Sequence, residues 1–114
     1  MKLAIIGSRG IVDMDIAAYI PENVTEIISG GAKGVDSLVM RYAEEKGIPT
    51  KVFLPQYERY GRAAPILRNR QIAEYADEVL AFWDGESKGT LSCIECFKKQ
   101  NKPVHVVSGK SQKT

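Results

Sequence analysis

The stretch Ser29-Gly30-Gly31-Ala32-Lys33-Gly34-Val35-Asp36 joins two different patterns of hydrophobicity. Residues 24–28 before it form an apolar run typical of a buried strand, and apolar residues after it recur at the spacing of one helix face. Three glycines within five residues let the backbone approach a ligand closely, and the following helix directs its positive end at the turn. The stretch therefore predicts a strand, an anion-binding turn and a helix. A turn that only makes a tight corner is the alternative.

Strands and helices alternate along the rest of the chain. We predict strands over residues 2–6, 24–28, 50–54, 78–83 and 103–107, and helices over about 16–20, 35–46, 65–76 and 90–99, with 55–64 irregular. Strands that read as apolar runs between helices are typical of a parallel sheet covered on both faces. Because crossovers are right-handed, we expect an α/β, doubly wound, Rossmann-like three-layer sandwich whose five-stranded parallel sheet has the order 3-2-1-4-5.

The composition is that of one globular domain. The chain has 114 residues, 44% hydrophobic and 26% charged, which is enough for a core of its own. We predict a single domain over residues 1–107 and a flexible tail over 108–114. No apolar run approaches the roughly 20 residues of a membrane span, and we find no signal peptide. Two cysteines without a secretory context favour a cytoplasmic location, and the net charge of +2 neither requires nor excludes a nucleic-acid partner.

Three turns rich in small residues follow the first, second and fourth predicted strands. They are Gly7-Ser8-Arg9, Ser29 to Gly34, and Asp84 to Thr90. In the predicted order the winding reverses between strands one and four, which leaves a crevice at the carboxyl edge that all three turns face. The convergence of three such turns favours a ligand site at this crevice.

The candidate ligand- and phosphate-binding residues are the small, hydroxyl-bearing, amide and charged residues predicted at this crevice: Gly7, Ser8, Arg9, Ser29, Gly30, Gly31, Gly34, Asp36, Arg68, Asn69, Ser87, Gly89 and Thr90. Arginines there can hold a phosphate or carboxylate with two N–H groups. We favour Arg68 and Asn69 over Arg70, because the early turns of their helix lie near the carboxyl edge. Asp36 either caps its helix, binds a ribose hydroxyl or acts as a general base, and Ser87 is also explained as an ordinary N-cap.

Neither a metal site nor a cofactor is predicted. Cys93 and Cys96 lack the further ligands that zinc requires, and Cys93 fits core packing. Among the aromatic residues, Trp83 at the end of strand four is the best placed to stack on a base. Tyr57 and Tyr60 lie on a loop that either closes over the crevice or covers the sheet edge. Core packing is the alternative for all three.

The ordered set of Gly7-Ser8-Arg9, Ser29 to Asp36, Arg68-Asn69-Arg70 and Phe82 to Thr90 resembles the SLOG superfamily, most closely its small stand-alone Rossmann-like branch. The resemblance covers roughly residues 3–107. It also extends to the Rossmann domain of the DNA-processing protein A family and to the cytokinin-activating, lysine-decarboxylase-like family. The resemblance implies a domain that binds a nucleotide or nucleotide-derived ligand as a sensor or processing module.

Two further functions stay open from the same resemblance. One is a phosphoribohydrolase that cleaves the N-glycosidic bond of nucleoside monophosphates, with Asp36 or Glu95 as the catalytic acid. That branch has Pro-Gly-Gly-x-Gly-Thr where this chain has Asp84 to Thr90, and Glu95 follows later than its glutamate. The other is a single-stranded-DNA-binding or DNA-processing accessory module that uses Arg59, Arg62 and Arg70. For any of the three we expect a homo-oligomer, by default a dimer through helix faces.

Overall fold

Five strands form one parallel sheet in the computed structural model of the protein. The structure describes residues 1–8, 15–30 and 35–108, with the backbone alone at positions 35 and 36. The strands are β1 (Lys2–Gly7), β2 (Glu26–Ser29), β3 (Thr50–Val52), β4 (Glu78–Trp83) and β5 (Val104–Ser108). Their order is β3-β2-β1-β4-β5, and every neighbouring pair is parallel. The predicted fold class and strand order are therefore confirmed.

Four α-helices connect the strands: α1 (Val35–Lys46), α2 (Tyr57–Tyr60), α3 (Ala64–Tyr75) and α4 (Lys88–Lys99), with short 3-10 helices at Ile16–Tyr19 and Gly61–Ala63. The helix predicted near residues 16–20 is thus a single 3-10 turn. The segment predicted to be irregular contains α2, which is too short to produce an amphipathic repeat. Within the described ranges, none of the helices combines the length and the apolar character needed to cross a membrane.

Element ends differ from the sequence prediction by one or two residues. The start of α4 is Lys88 rather than Thr90, because Ser87 takes the N-cap position. Ser108, which was assigned to the tail from the sequence, is the last residue of β5 and pairs with Trp83 of β4. The rest of the predicted tail, 109–114, lies outside the described residues.

Alternate side chains of the strands pack into two hydrophobic cores, one on each face of the sheet. Leu3 and Ile5 of β1 belong to the core that includes α1 and the first 3-10 helix. Ala4, between them in sequence, belongs to the core that includes Ile72 of α3 and Phe97 of α4. Because successive side chains of a strand point to opposite faces, the sheet is the middle of three layers.

The carboxyl end of α3 is held by a lysine from the loop before β5. Lys102 Nζ donates to the carbonyl oxygens of Ala73 at 2.6 Å, Glu74 at 3.1 Å and Ala76 at 2.8 Å. The last carbonyls of a helix have no partner within the helix, and the negative end of the helix dipole favours a cation there. Lys102 therefore fixes the end of the helix that carries Arg68 and Asn69.

We predict that Lys102→Met lowers the free energy of unfolding by about 1–3 kcal/mol, because three carbonyl oxygens lose a charged donor while the apolar stem is kept. Denaturant unfolding of the wild type and the variant measures this difference. Arg41→Met, at an exposed position of α1, is the control and should change stability by less than about 0.5 kcal/mol. Equal losses in the two variants would contradict the prediction.

Candidate ligand-binding site

A cavity of about 240 Å³ opens at the carboxyl edge of the sheet, beside the end of β1 and between the first turns of α3 and α4. Most of the predicted ligand-binding residues line it: Gly7, Ser29, Gly30, Arg68, Asn69, Ser87, Gly89 and Thr90. They come from four separate segments of the chain. The cavity therefore lies where the sequence predicts a crevice.

Part of the candidate set falls outside the described residues, and one candidate catalytic residue is described away from the cavity. Arg9, Gly31 and Gly34 fall outside the described residues, as does the side chain of Asp36. Glu95 is exposed on α4 and does not line the cavity. Binding and catalytic roles for these residues stay predictions from the sequence.

Ser8 has a structural role in the turn after β1. It is 2% exposed, its backbone N–H donates to the Phe82 carbonyl at 3.0 Å, and its Oγ accepts from the Asp84 N–H at 3.2 Å. Ser8 therefore joins the turn after β1 to the turn after β4 and does not itself line the cavity.

Arg68 is the charged residue among the described residues of the cavity wall. Its Nη1 donates to the Gly30 carbonyl at 2.6 Å, and its Nε donates to Asn69 Oδ1 at 3.0 Å. Both acceptors are neutral, and no carboxylate among the described side chains lies within 4.0 Å of the guanidinium. Burial lowers the pKa of Arg68, while its interactions with Cys93 and Tyr57 act in the opposite direction. Arg68 thus brings a half-buried positive charge to the cavity.

Asn69 connects Arg68 to the start of α4. It is 5% exposed, and its Nδ2 lies 3.5 Å from the Gly89 carbonyl and 3.4 Å from Ser92 Oγ. Its Oδ1 accepts from Arg68 Nε. A buried amide whose oxygen and nitrogen both have partners stabilises one side-chain orientation. Asn69 therefore sets where the guanidinium lies relative to α4.

Gly30 is required by this arrangement for a steric reason. A Cβ built at this position would lie 2.9 Å from Arg68 Nη1 and 3.2 Å from Arg68 Cζ. Those contacts are too short, so any larger residue would displace the guanidinium. The glycine that sequence analysis assigned to ligand approach therefore also makes room for Arg68.

The start of α4 contributes Ser87, Gly89 and Thr90 to the cavity wall. Asp84 Oδ1 accepts from the N–H groups of Glu86 at 2.9 Å and Ser87 at 2.8 Å, and Ser87 Oγ lies 3.4 Å from the Thr90 nitrogen as the N-cap. The N–H groups of Glu86, Ser87 and Thr90 are thus hydrogen-bonded within the protein. The N–H groups of Lys88 and Gly89 have no acceptor among the described residues, as is usual at a helix start.

The aromatic residue beside the cavity is not the one that the sequence favours. The indole N–H of Trp83 donates to the Ser87 carbonyl at 3.0 Å, which ties Trp83 to the turn before α4, and Trp83 does not line the cavity. Tyr57 of α2 lines it and is 60% exposed. The sequence places Tyr57 and Tyr60 on one loop near the crevice, but it does not show which of the two lines the cavity.

The cysteines and the histidine do not form a site with one another. Cys93 and Cys96 are free, and burial raises the pKa of the Cys93 thiol to about 12, so it is protonated at neutral pH. His105 is exposed on β5, with Nε2 at 3.6 Å from Glu78 Oε2. Across the described ranges, no three His, Cys, Asp or Glu side chains are grouped so that they could hold a metal ion.

Asp84 gives the turn before α4 a dependence on pH. The amides of Glu86 and Ser87 stabilise the charged carboxylate and hold the pKa of Asp84 below its ordinary value of 3.8. A carboxyl with a lowered pKa stabilises the fold above its unfolded-state pKa, and this contribution is lost as the pH falls through the folded-state pKa.

We predict that stability falls less steeply below about pH 4 in Asp84→Asn than in the wild type, because Asn keeps the acceptor oxygen but does not titrate.

Unfolding by denaturant from pH 7 to pH 2 in both proteins measures this difference. The other carboxylates are common to both, so they cancel in the comparison. Stability curves that stay parallel throughout the acid range would contradict the role given to Asp84.

Comparison of the chain with models of protein families, with curated proteins and with solved structures gives no match in any of the three. The geometry of the cavity is therefore the basis for a functional proposal.

Proposed function

We propose that the cavity binds a nucleotide or nucleotide-derived ligand, as a sensor or processing module, and that the phosphate lies between Arg68 and the start of α4. The observation that carries the proposal is the half-buried guanidinium of Arg68. It faces the cavity and has only neutral hydrogen-bond acceptors among the described residues.

An anion is the ligand that this charge favours. Partial burial of a cation removes part of its hydration, and hydrogen bonds to neutral acceptors compensate for only part of the lost solvation energy. A phosphate about 4 Å away would contribute about 4 kcal/mol of Coulomb energy at an effective dielectric constant near 20. The guanidinium is already oriented by Gly30 and Asn69, so little side-chain entropy is lost on binding.

The start of α4 supports the same placement of the phosphate. The amides of Lys88 and Gly89 add N–H donors and the positive end of the helix dipole. Gly89 lines the cavity, and a Cβ at this position would meet nothing within 4 Å. Its lack of a side chain is thus not required by packing in the described structure, and it leaves the amide open to a ligand.

The remaining polar groups of the wall fit a sugar. Ser29 and Thr90 are buried hydroxyl residues that line the cavity. Thr90 Oγ1 is 3.2 Å from Ser87 Oγ, and a hydroxyl in such a pair keeps further capacity to accept a hydrogen bond from a ribose. With the resemblance of the motifs to the SLOG superfamily, this combination favours a sugar phosphate of the nucleotide type over a simple carboxylate.

The two alternatives have less support. For an N-glycosidase, Glu95 is exposed away from the cavity lining, which leaves Asp36 as the candidate acid. For a DNA-binding module, Arg59, Arg62 and Arg70 are exposed, as arginines on a protein surface generally are. A cytoplasmic location and a homodimer stay predictions of the sequence.

We expect nucleoside monophosphates to raise the Tm of the wild type in a thermal-shift screen of mono-, di- and cyclic nucleotides. Ligand at ten times its Kd adds about 1.4 kcal/mol to the free energy of unfolding, which corresponds to a Tm shift of roughly 5 °C for a domain of this size.

Arg68→Met should weaken nucleotide binding about tenfold or more, because a charged hydrogen bond contributes about 1.5–3 kcal/mol.

Arg70→Met is the matched control, since Arg70 is exposed on the same helix. It should bind as the wild type does. If no nucleotide at millimolar concentration shifts the Tm of the wild type, or if the two arginine variants lose affinity equally, the proposal is wrong.

Gly89→Ala separates stability from binding. Alanine is favoured over glycine in a helix by about 0.5–1 kcal/mol, and the added methyl group has space in the free protein. We therefore expect the Tm without ligand to rise slightly while affinity for nucleoside monophosphates falls several-fold. Unchanged affinity in a stabilised variant would show that the ligand does not approach this amide.

A further inference from the structure

The short helix α2 contributes no buried residue to either core. Tyr57–Tyr60 are all exposed, and none of them belongs to the two core clusters. Ordering a segment costs conformational entropy, and in this segment the cost is not offset by burial in a core. Tyr57 is the member of α2 that lines the cavity.

The ring of Tyr57 is available for contact at the cavity mouth. It is 60% exposed and has no aromatic or cation partner among the described residues, whereas the guanidinium of Arg59 lies 5.4 Å from the ring centre of Tyr60. Tyr57 is also close enough to Arg68 to affect the pKa of that group. The exposed ring of Tyr57 thus lies near Arg68 in the same cavity.

The size of the cavity indicates what must lie against that ring. Pockets that enclose a drug-sized ligand have volumes of about 300–1,000 Å³, and this one has about 240 Å³. A phosphate and sugar bound between Arg68 and α4 would take up much of that space. The remainder of a nucleotide would then extend to the mouth, where Tyr57 is exposed.

We propose that Tyr57 stacks on the base of the bound nucleotide and thereby selects nucleotides over sugar phosphates that lack a base. The inference rests on the proposed function, because it requires the phosphate to lie at Arg68. Stacking requires only the flat face of a base and depends little on which base it is. The class of ligand is therefore a mononucleotide whose base lies flat against the ring of Tyr57. The ring, rather than the hydroxyl, is the functional part of Tyr57.

Binding constants measured by calorimetry on the full chain test this role. The probes are inorganic phosphate, ribose 5-phosphate, adenosine monophosphate and cytidine monophosphate, and the variants are Tyr57→Ala, Tyr57→Phe and Tyr60→Ala. In Tyr57→Ala we expect affinity for both monophosphates to fall about tenfold, as is typical for the loss of one stacked aromatic ring, with affinity for ribose 5-phosphate unchanged. Tyr57→Phe keeps the ring and should bind as the wild type does, and so should Tyr60→Ala, which is the matched control on α2.

The outcomes distinguish the two proposals. If the wild type binds phosphate and ribose 5-phosphate as tightly as the monophosphates, or if Tyr57→Ala keeps full affinity for the monophosphates, the stacking role is wrong while the phosphate site stands. If Tyr57→Ala weakens all four ligands equally, Tyr57 acts on the phosphate end and the inference is again wrong. If the wild type binds none of the four, the stacking inference is wrong, and the proposed function itself fails when no nucleotide of the thermal-shift screen binds either.

Discussion

The common direction of the five strands is the constraint on which the rest of the structure depends. In a parallel sheet every strand ends at the same edge, so the turns after β1, β2 and β4 are brought together although they are far apart in sequence. From β1 the chain adds strands first on one side of the sheet and then, from β4, on the other side. The helices that connect the strands therefore diverge at the carboxyl ends of β1 and β4 and leave a crevice there. The cavity beside Gly7, Ser29 and Ser87 follows from these two features.

The internal hydrogen bonds of this edge divide its polar groups into two sets. Asp84 and Ser8 satisfy amides of the turns and hold the backbone in place. Arg68 and Gly89 line the cavity, and the amides of Lys88 and Gly89 have no acceptor among the described residues. The first set is occupied by the protein itself, and under the proposed function the second set would contact the ligand. This division explains why a carboxylate in the turn, Asp84, is compatible with the anion site proposed a few residues later.

The fold could be predicted from the sequence because it depends on repeated patterns. Apolar runs, helical spacing and the handedness of crossovers each involve many residues, so single deviations such as Asn69 within α3 did not obscure them. The position of the cavity was predictable at the level of turns, because it follows from the strand order. What the sequence could not supply was the pairing of side chains across elements. The local pattern favours Trp83 over Tyr57. It does not show that the indole is tied down by a carbonyl four residues later in the chain, because only the folded turn creates that interaction.

The missing side chain at Gly30 has a consequence for how this domain can change during evolution. The space that it leaves is filled by the head of Arg68, which lies on another element 38 residues away. A side chain at position 30 would therefore force the head of Arg68 to move away from its present position. Homologous chains that replace the glycine should therefore hold the head of this arginine in a different place, or have another residue at position 68.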